Sequence, residues 1–238
     1  MRTFCILAMA AICAMCAVPV LAADIVTVPT ANQLGPKEFD LAAYYISLDQ
    51  TALGLPPNGP DYVTVQTLYL GVTKELELDV HAYQIHRAKE IGATKNSYEV
   101  LIATYRICPE TAKNPIIVLG GRNLTQANDG MGHDDVSWYM SAAKTINQKP
   151  GGPPKWPIIR LHLSAGTPDN TILGFDRHDG IFGGVQLRLS PQIGAIVLND
   201  SRDTITGLTF DPVKELTIKG GTYGTHWWVG MSLAKSWK

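Results

Sequence analysis

Cysteine is almost missing from the part of this 238-residue chain that would survive export. Cys5, Cys13 and Cys16 fall within the first 22 residues and leave Cys108 alone behind them, so no intramolecular disulfide can staple the remainder. An exported domain without staples must be held by burial and strand pairing. An excess of either charge is also missing. The formal net charge is −1 and falls to −2 once Arg2 is removed, which leaves no basic patch to attract nucleic acid or an anionic lipid surface. Long apolar runs are absent beyond residue 23, where nothing approaches the roughly 20 residues a membrane-spanning helix needs. If this chain enters a membrane, it must do so as a closed barrel, which pairs every backbone polar group internally.

The first segment has a different character. Met1 and Arg2 lead into FCILAMAAICAMCAV, then Pro19 and VLAAD, the charged start, apolar centre and small-residue end of a signal peptide. The spacing of Val20 and Ala22 suggests cleavage after Ala22, and a cut after Ala23 fits nearly as well. The reading therefore divides the chain into a signal peptide (1–22), a periplasmic lead-in (23–39) and a barrel domain (40–238).

What is present is strand after strand. Twelve runs rich in Val, Ile, Leu, Tyr and Thr occupy 40–50, 62–73, 75–87, 97–108, 115–126, 136–147, 157–167, 180–190, 193–200, 204–210, 215–223 and 226–238, separated by Gly, Pro, Asn and Asp. No run shows sustained helical periodicity. Several connections alternate between minimal turns, as at Lys74 and at Pro191 with Gln192, and longer polar stretches such as TALGLPPNGPD and PDNTILGFDRHD. Short turns on one rim and long loops on the other are the arrangement of outer-membrane barrels. QKPGGPPKW (148–156) is long where a short turn is expected. The expected fold is all-β: a single antiparallel up-and-down transmembrane β-barrel of about twelve strands, with both termini on the periplasmic side. A soluble periplasmic β-sandwich that binds a ligand or partner is the alternative architecture.

Alternation assigns faces. Reading every second residue of the last run puts Trp227, Val229, Met231, Leu233 and Trp237 on one side, against His226, Trp228, Gly230 and Ser232 on the other. With Trp138, the first set is expected to face lipid, the aromatics lying near the membrane interfaces. Glu77, Asp79, His81, Arg106, Arg122, Arg160, His162, Arg188 and Lys219 are expected to line the lumen. Such a mixed-sign set pairs across the barrel and closes it, or else lines a small polar pore whose charge sets selectivity.

Two stretches carry a family resemblance. The lead-in VTVPTANQLGPKEFDLAA and the later block GIFGGVQLRLSPQIGAIVLNDSRDTITGLTFDPVKELTIKGGTYGTHWWVGMSLA resemble Gram-negative outer-membrane β-barrel proteins of the exopolysaccharide-biosynthesis, YjbH-like type, over about a third of the chain. The resemblance implies a non-enzymatic outer-membrane barrel that supports surface polysaccharide export or small-solute passage. Its surroundings would be outer-membrane lipid and lipopolysaccharide. The final aromatic strand is similar to the signal read by the outer-membrane assembly machinery, although Lys238 follows Trp237. No cofactor is implied.

Two chemical alternatives remain. His162 and Ser164 in IIRLHLSAG place a base and a nucleophile on one face of a strand, and the segment resembles that of outer-membrane lipid A deacylases. This gives the alternative of a lipid-modifying hydrolase, but no carboxylate that could orient His162 stands on the next polar face, which offers Gln186 and Arg188. The loops GMGHDD and FDRHDG gather His133, Asp134, Asp135, Asp176, His178 and Asp179, ligand types a divalent ion can use. They lack calcium-loop spacing, and no metal is expected there.

Overall fold

The computed structural model describes residues 24–25, 28–48, 62–86, 94–127, 135–147, 154–169 and 177–237. The signal peptide, His133, Asp134, Asp176 and Lys238 lie outside the described residues. Two short strands come first, β1 (Asp24–Ile25) and β2 (Val28–Pro29), which pair with each other. Twelve long strands follow: β3 (Glu38–Ser47), β4 (Tyr62–Gly71), β5 (Leu76–Ile85), β6 (Ser97–Cys108), β7 (Ile116–Arg122), β8 (Ser137–Thr145), β9 (Ile158–Gly166), β10 (Gly180–Arg188), β11 (Ile193–Asn199), β12 (Thr204–Val213), β13 (Leu216–Tyr223) and β14 (His226–Ser236).

Every strand from β3 to β14 pairs antiparallel with the next in sequence, and β14 returns to pair with β3 along nine residue pairs from Trp228↔Ile46 to Ser236↔Glu38. The sheet is therefore a closed up-and-down barrel without an unpaired edge. That excludes the two-sheet sandwich, because all twelve strands share one hydrogen-bonded ring. Each run read from the sequence became one strand. The differences lie at the ends: β3 begins at Glu38 rather than at residue 40, and β14 ends at Ser236. The turn expected at 211–214 is shorter, because β12 continues through a bulge between Phe210 and Val213 and turns at Lys214 and Glu215. We call the end where β3 starts and β14 finishes the lower end.

The strands hold their register because a one-residue slip would exchange the two faces of each strand. Inward positions are buried, from Tyr44 and Ile46 in β3 to Trp228 and Ala234 in β14. Trp228, grouped with small and polar residues in the sequence reading, is one of the largest fully buried side chains.

Three aromatics show how the inner wall packs. Each lies flat across a glycine on the adjacent strand and reaches the strand beyond. Tyr139 lies over its partner Gly120, and its hydroxyl meets Thr104 Oγ1 at 2.8 Å. Tyr44 covers Gly230 and accepts from Lys219 Nζ at 3.1 Å. Trp228 crosses Gly221 to Gly207, where an added Cβ would stand 2.6 Å from the ring. Its Nε1 donates to the Thr206 and Thr222 carbonyls, both at 3.2 Å. Glycine leaves the hole that the ring fills, so strand content and core filling are set together.

Candidate functional site: a filled lumen and an apolar outer belt

The lead-in was expected to precede the barrel. Its residues from Val28 to Leu34 instead run inside it. Val28, Thr30, Ala31, Asn32 and Leu34 are buried, and several polar contacts tie the segment to the inner wall and lower rim. Leu34 donates its backbone N–H to Glu77 Oε2 at 2.5 Å. Gln33 Nε2 donates to the carbonyls of Glu75 and Thr104, both at 2.9 Å. Arg160 Nε donates to Asn32 Oδ1 at 2.9 Å, and Ser164 Oγ approaches the Pro29 carbonyl at 3.5 Å. Ala31 packs with Ile116, Val118 and Ala143, while Val28 and Leu34 join the main core. At the lower end the chain leaves the lumen through a tight passage. Gly35 lies against Gly71, where a Cβ would collide with the Gly35 carbonyl, and Lys37 N–H then bonds the Gly71 carbonyl at 3.0 Å.

Below this segment sits an ion pair between Arg160 and Glu110, Nη1 to Oε2 at 2.6 Å. Glu110 also accepts the Thr145 N–H at 2.7 Å. Burial pushes the Glu110 carboxyl up, but the Thr145 N–H and the Arg160 guanidinium outweigh it and hold the carboxyl below its ordinary range. Beside them Arg188 pairs with Asp211 and donates to the Pro191 carbonyl at 3.3 Å.

A second set of charges stands at the upper end. Asp169 and Arg177 exchange backbone hydrogen bonds. Arg122 Nε stands 2.6 Å from Asp169 Oδ2, and His178 Nδ1 reaches the same oxygen at 3.2 Å. Arg177 Nη1 bonds Asp200, Asp203 at 3.0 Å and the Tyr223 hydroxyl at 2.7 Å. Tyr223 in turn donates to Asp200 Oδ2 at 2.5 Å. Burial opposes ionisation at Asp200 and Arg177 alike. The Arg177 charge and the N–H of Asp203 nevertheless hold the Asp200 carboxyl below its usual value, and Tyr223, Asp200 and Asp203 hold Arg177 above its own.

Glu77, Asp79, His81, Arg122 and His162 are inward and buried. Arg160 and Arg188 point into the lower mouth, and Lys219 points inward to Tyr44. Arg106, at the lower end of β6 beside a bulge, is half-buried on the inward parity. The structure brings Arg160 to the lead-in and Arg122 to the upper charge set, whereas Lys219 lies with Tyr44 and near Asp40. Sequence reasoning missed Glu110, Asp169, Arg177, Asp200 and Tyr223, which lie in or beside turns where strand alternation carries no signal. His178, assigned to the outer rim, is buried against Asp169, while Asp179 and Asp135 are exposed. Among the described residues no cluster suited to a metal ion forms.

Ser164 and His162 share the inner face, but the serine is engaged elsewhere. Its Oγ meets Ser141 Oγ at 2.7 Å, deep in the wall. Among the described residues no carboxylate bonds either His162 ring nitrogen. The base, nucleophile and orienting acid of a triad are therefore not assembled.

Outside, polarity inverts. Leu119, Trp138, Met140, Leu163, Ile181, Val197, Leu208, Ile218, Val229 and Met231 are all at least 43% exposed, on strands that follow one another around the ring. Leu233 shares this face and is half-buried. Aromatics mark both ends. At the upper end Trp227, Tyr45, Tyr62 and His86 stack in sequence with centroids 5.0, 4.8 and 4.5 Å apart. At the lower end Phe39 and Trp237 lie 5.9 Å apart.

No protein-family model matches the chain, so the likeness to exopolysaccharide-type barrels rests on the residues quoted above. No curated protein matches it either. One solved structure it is similar to is the N-terminal β-barrel domain of Pseudomonas aeruginosa OprF, at 9% identity, covering 85% of this chain and 100% of that one, with a TM-score of 0.27. The strand pairing, not this likeness, establishes the barrel described here.

Proposed function

We propose that the protein is a non-enzymatic outer-membrane β-barrel, exported by a cleaved signal peptide, whose lumen is shut by its own N-terminal segment. The observation that carries this reading is the exposed apolar face that runs over eight successive strands, β7 to β14, of a closed barrel and has aromatics at both ends. Water penalises such a belt, since the largest apolar patch on a typical soluble monomer is about 300–600 Å². Lipid and lipopolysaccharide are its natural surroundings, and the aromatic final strand suits recognition by the outer-membrane assembly machinery.

Passage through this barrel requires the segment Val28–Gly35 to move, because its buried side chains occupy the lumen. A small solute fits the width left beside a displaced segment better than a polysaccharide chain does, so small-solute passage is the preferred role. The test is conductance in planar bilayers: the full chain is silent or nearly so, and Leu34→Asp, which forces a charge into the core, conducts. Silence of both, with both folded, would sink the passage role. Ser164, bonded to Ser141, argues against lipid hydrolysis, and Ser164→Ala is expected to leave membrane lipid composition unchanged.

A further inference from the structure

The apolar outer face of β7–β14 gives way on β4–β6 to a polar group. Gln66, Gln84 and Glu99 stand exposed there around half-buried Ala82, and no hydrogen bond or ion pair among the described residues engages their side chains. Outward Thr206 and Thr222, by contrast, satisfy each other at 2.8 Å. Gln66 lies four residues below Tyr62 of the upper aromatic stack, on the same face of β4, where lipid offers its amide no partner. From this arrangement we infer that the β4–β6 face is the interface of a parallel dimer, with a second copy of this chain as its occupant. The inference rests on the outer-membrane reading above.

The group is complementary to itself. Gln66, Ala82 and Glu99 share one register row across β4, β5 and β6, and Gln84 is the next outward residue after Ala82 on β5. A strand tilt of roughly 40° lifts each successive strand by about 3 Å along such a row. The climb runs toward β6, which continues from Thr104, in the row of Glu77 and Gly71, down to Cys108. Glu99 therefore stands about level with Gln84 and roughly 6 Å above Gln66, on the opposite side of Ala82. A two-fold axis along the membrane normal at Ala82 brings each Glu99 carboxylate between Gln84 and Gln66 of the second copy, whose amides donate to it. The exchange occurs twice, because in such an interface residue i meets j and j meets i. Ala82, small and at the axis, lets the two walls approach. A phosphorylated lipid headgroup repels Glu99, and acyl chains offer the amides no hydrogen bond, so lipid fits this face worse than a second copy does.

The test is oxidative cross-linking by copper phenanthroline in outer membranes that hold the full-length protein with Cys108→Ser. Ala82→Cys should form a disulfide-linked dimer at least tenfold faster than Leu208→Cys, an outward position on β12 across the barrel. Adding Gln84→Glu sets carboxylate against carboxylate and should slow that linkage at least tenfold, and adding Glu99→Gln as well should restore it. Unshifted gel mobility before boiling is the check that each variant is folded. Equal rates at residues 82 and 208 overturn the interface, and failure of the double change to restore linkage overturns the pairing of Glu99 with Gln84. Monomer alone from Ala82→Cys, or linkage to a different protein, with barrel mobility intact, overturns the second copy. Loss of that mobility in the parent protein overturns the membrane reading instead, and the interface with it.

Discussion

Arg160 joins the N-terminal segment to the barrel wall: its Nε donates to Asn32 at 2.9 Å while its Nη1 is held by Glu110 at 2.6 Å. One side chain on β9 thus fixes both the segment inside the lumen and the turn beneath it. Arg160→Ala strips Glu110 of its partner and frees Asn32. For a partly buried pair the loss is expected to be about 1–3 kcal/mol. Protease cleavage within residues 28–36 of the folded protein should speed up, while an unchanged cleavage rate would show that the segment is held by apolar contact alone.

Gly120 exists for Tyr139. A methyl group at residue 120 would enter the Tyr139 ring, which Thr104 holds in place. Gly120→Ala should cost about 1–3 kcal/mol through overpacking. In the double variant with Tyr139→Ala the costs should fall well short of additive, since the clash disappears with the ring. Urea unfolding from detergent micelles reads this directly.

The upper charge set gives a pH dependence of definite sign. Asp200 is held below its ordinary carboxyl value, so in the unfolded chain it takes up a proton at higher pH, near ~4. Its stabilisation is therefore complete above that point and is lost as pH falls through the lower, folded-state value. Wild type should exceed Asp200→Asn in thermal stability at pH 7, with the gap narrowing below about pH 4. A gap that does not change with pH would remove Asp200 from that role.

The belt predicts a substitution asymmetry. Met231, outward in mid-strand, should lose about 2–4 kcal/mol of folding stability in bilayers as Met231→Arg if it lies near the midplane of the lipid. Lys235→Arg, lower on the same face, should change little. Folding yields into vesicles of dimyristoyl phosphatidylcholine separate the two, and equal yields would mean that this face does not meet lipid.

Strands were legible in the sequence because a period of two survives wherever one face is apolar, as in β9 with Leu161 and Leu163 against Arg160 and His162. The lumen segment was not legible. PTANQLG alternates poorly and carries no long apolar run, so it reads as a solvated lead-in, and only the barrel wall reveals what buries Ala31 and Leu34. The same limit hid Arg177 with Asp200 and Tyr223. Those pairs join residues 23 to 46 positions apart across turns, and no local pattern predicts them. Trp228 was misjudged for another reason: its neighbours His226, Gly230 and Ser232 are small or polar, yet it is Gly207 on β12 that makes room for its ring.

The central claim is that this barrel spans a membrane, and gel mobility before and after boiling tests it most directly. Full-length protein recovered from the outer-membrane fraction should run faster unboiled and shift on boiling, as a detergent-resistant barrel does. Recovery in the soluble periplasmic fraction without detergent, and with no shift, would contradict the account.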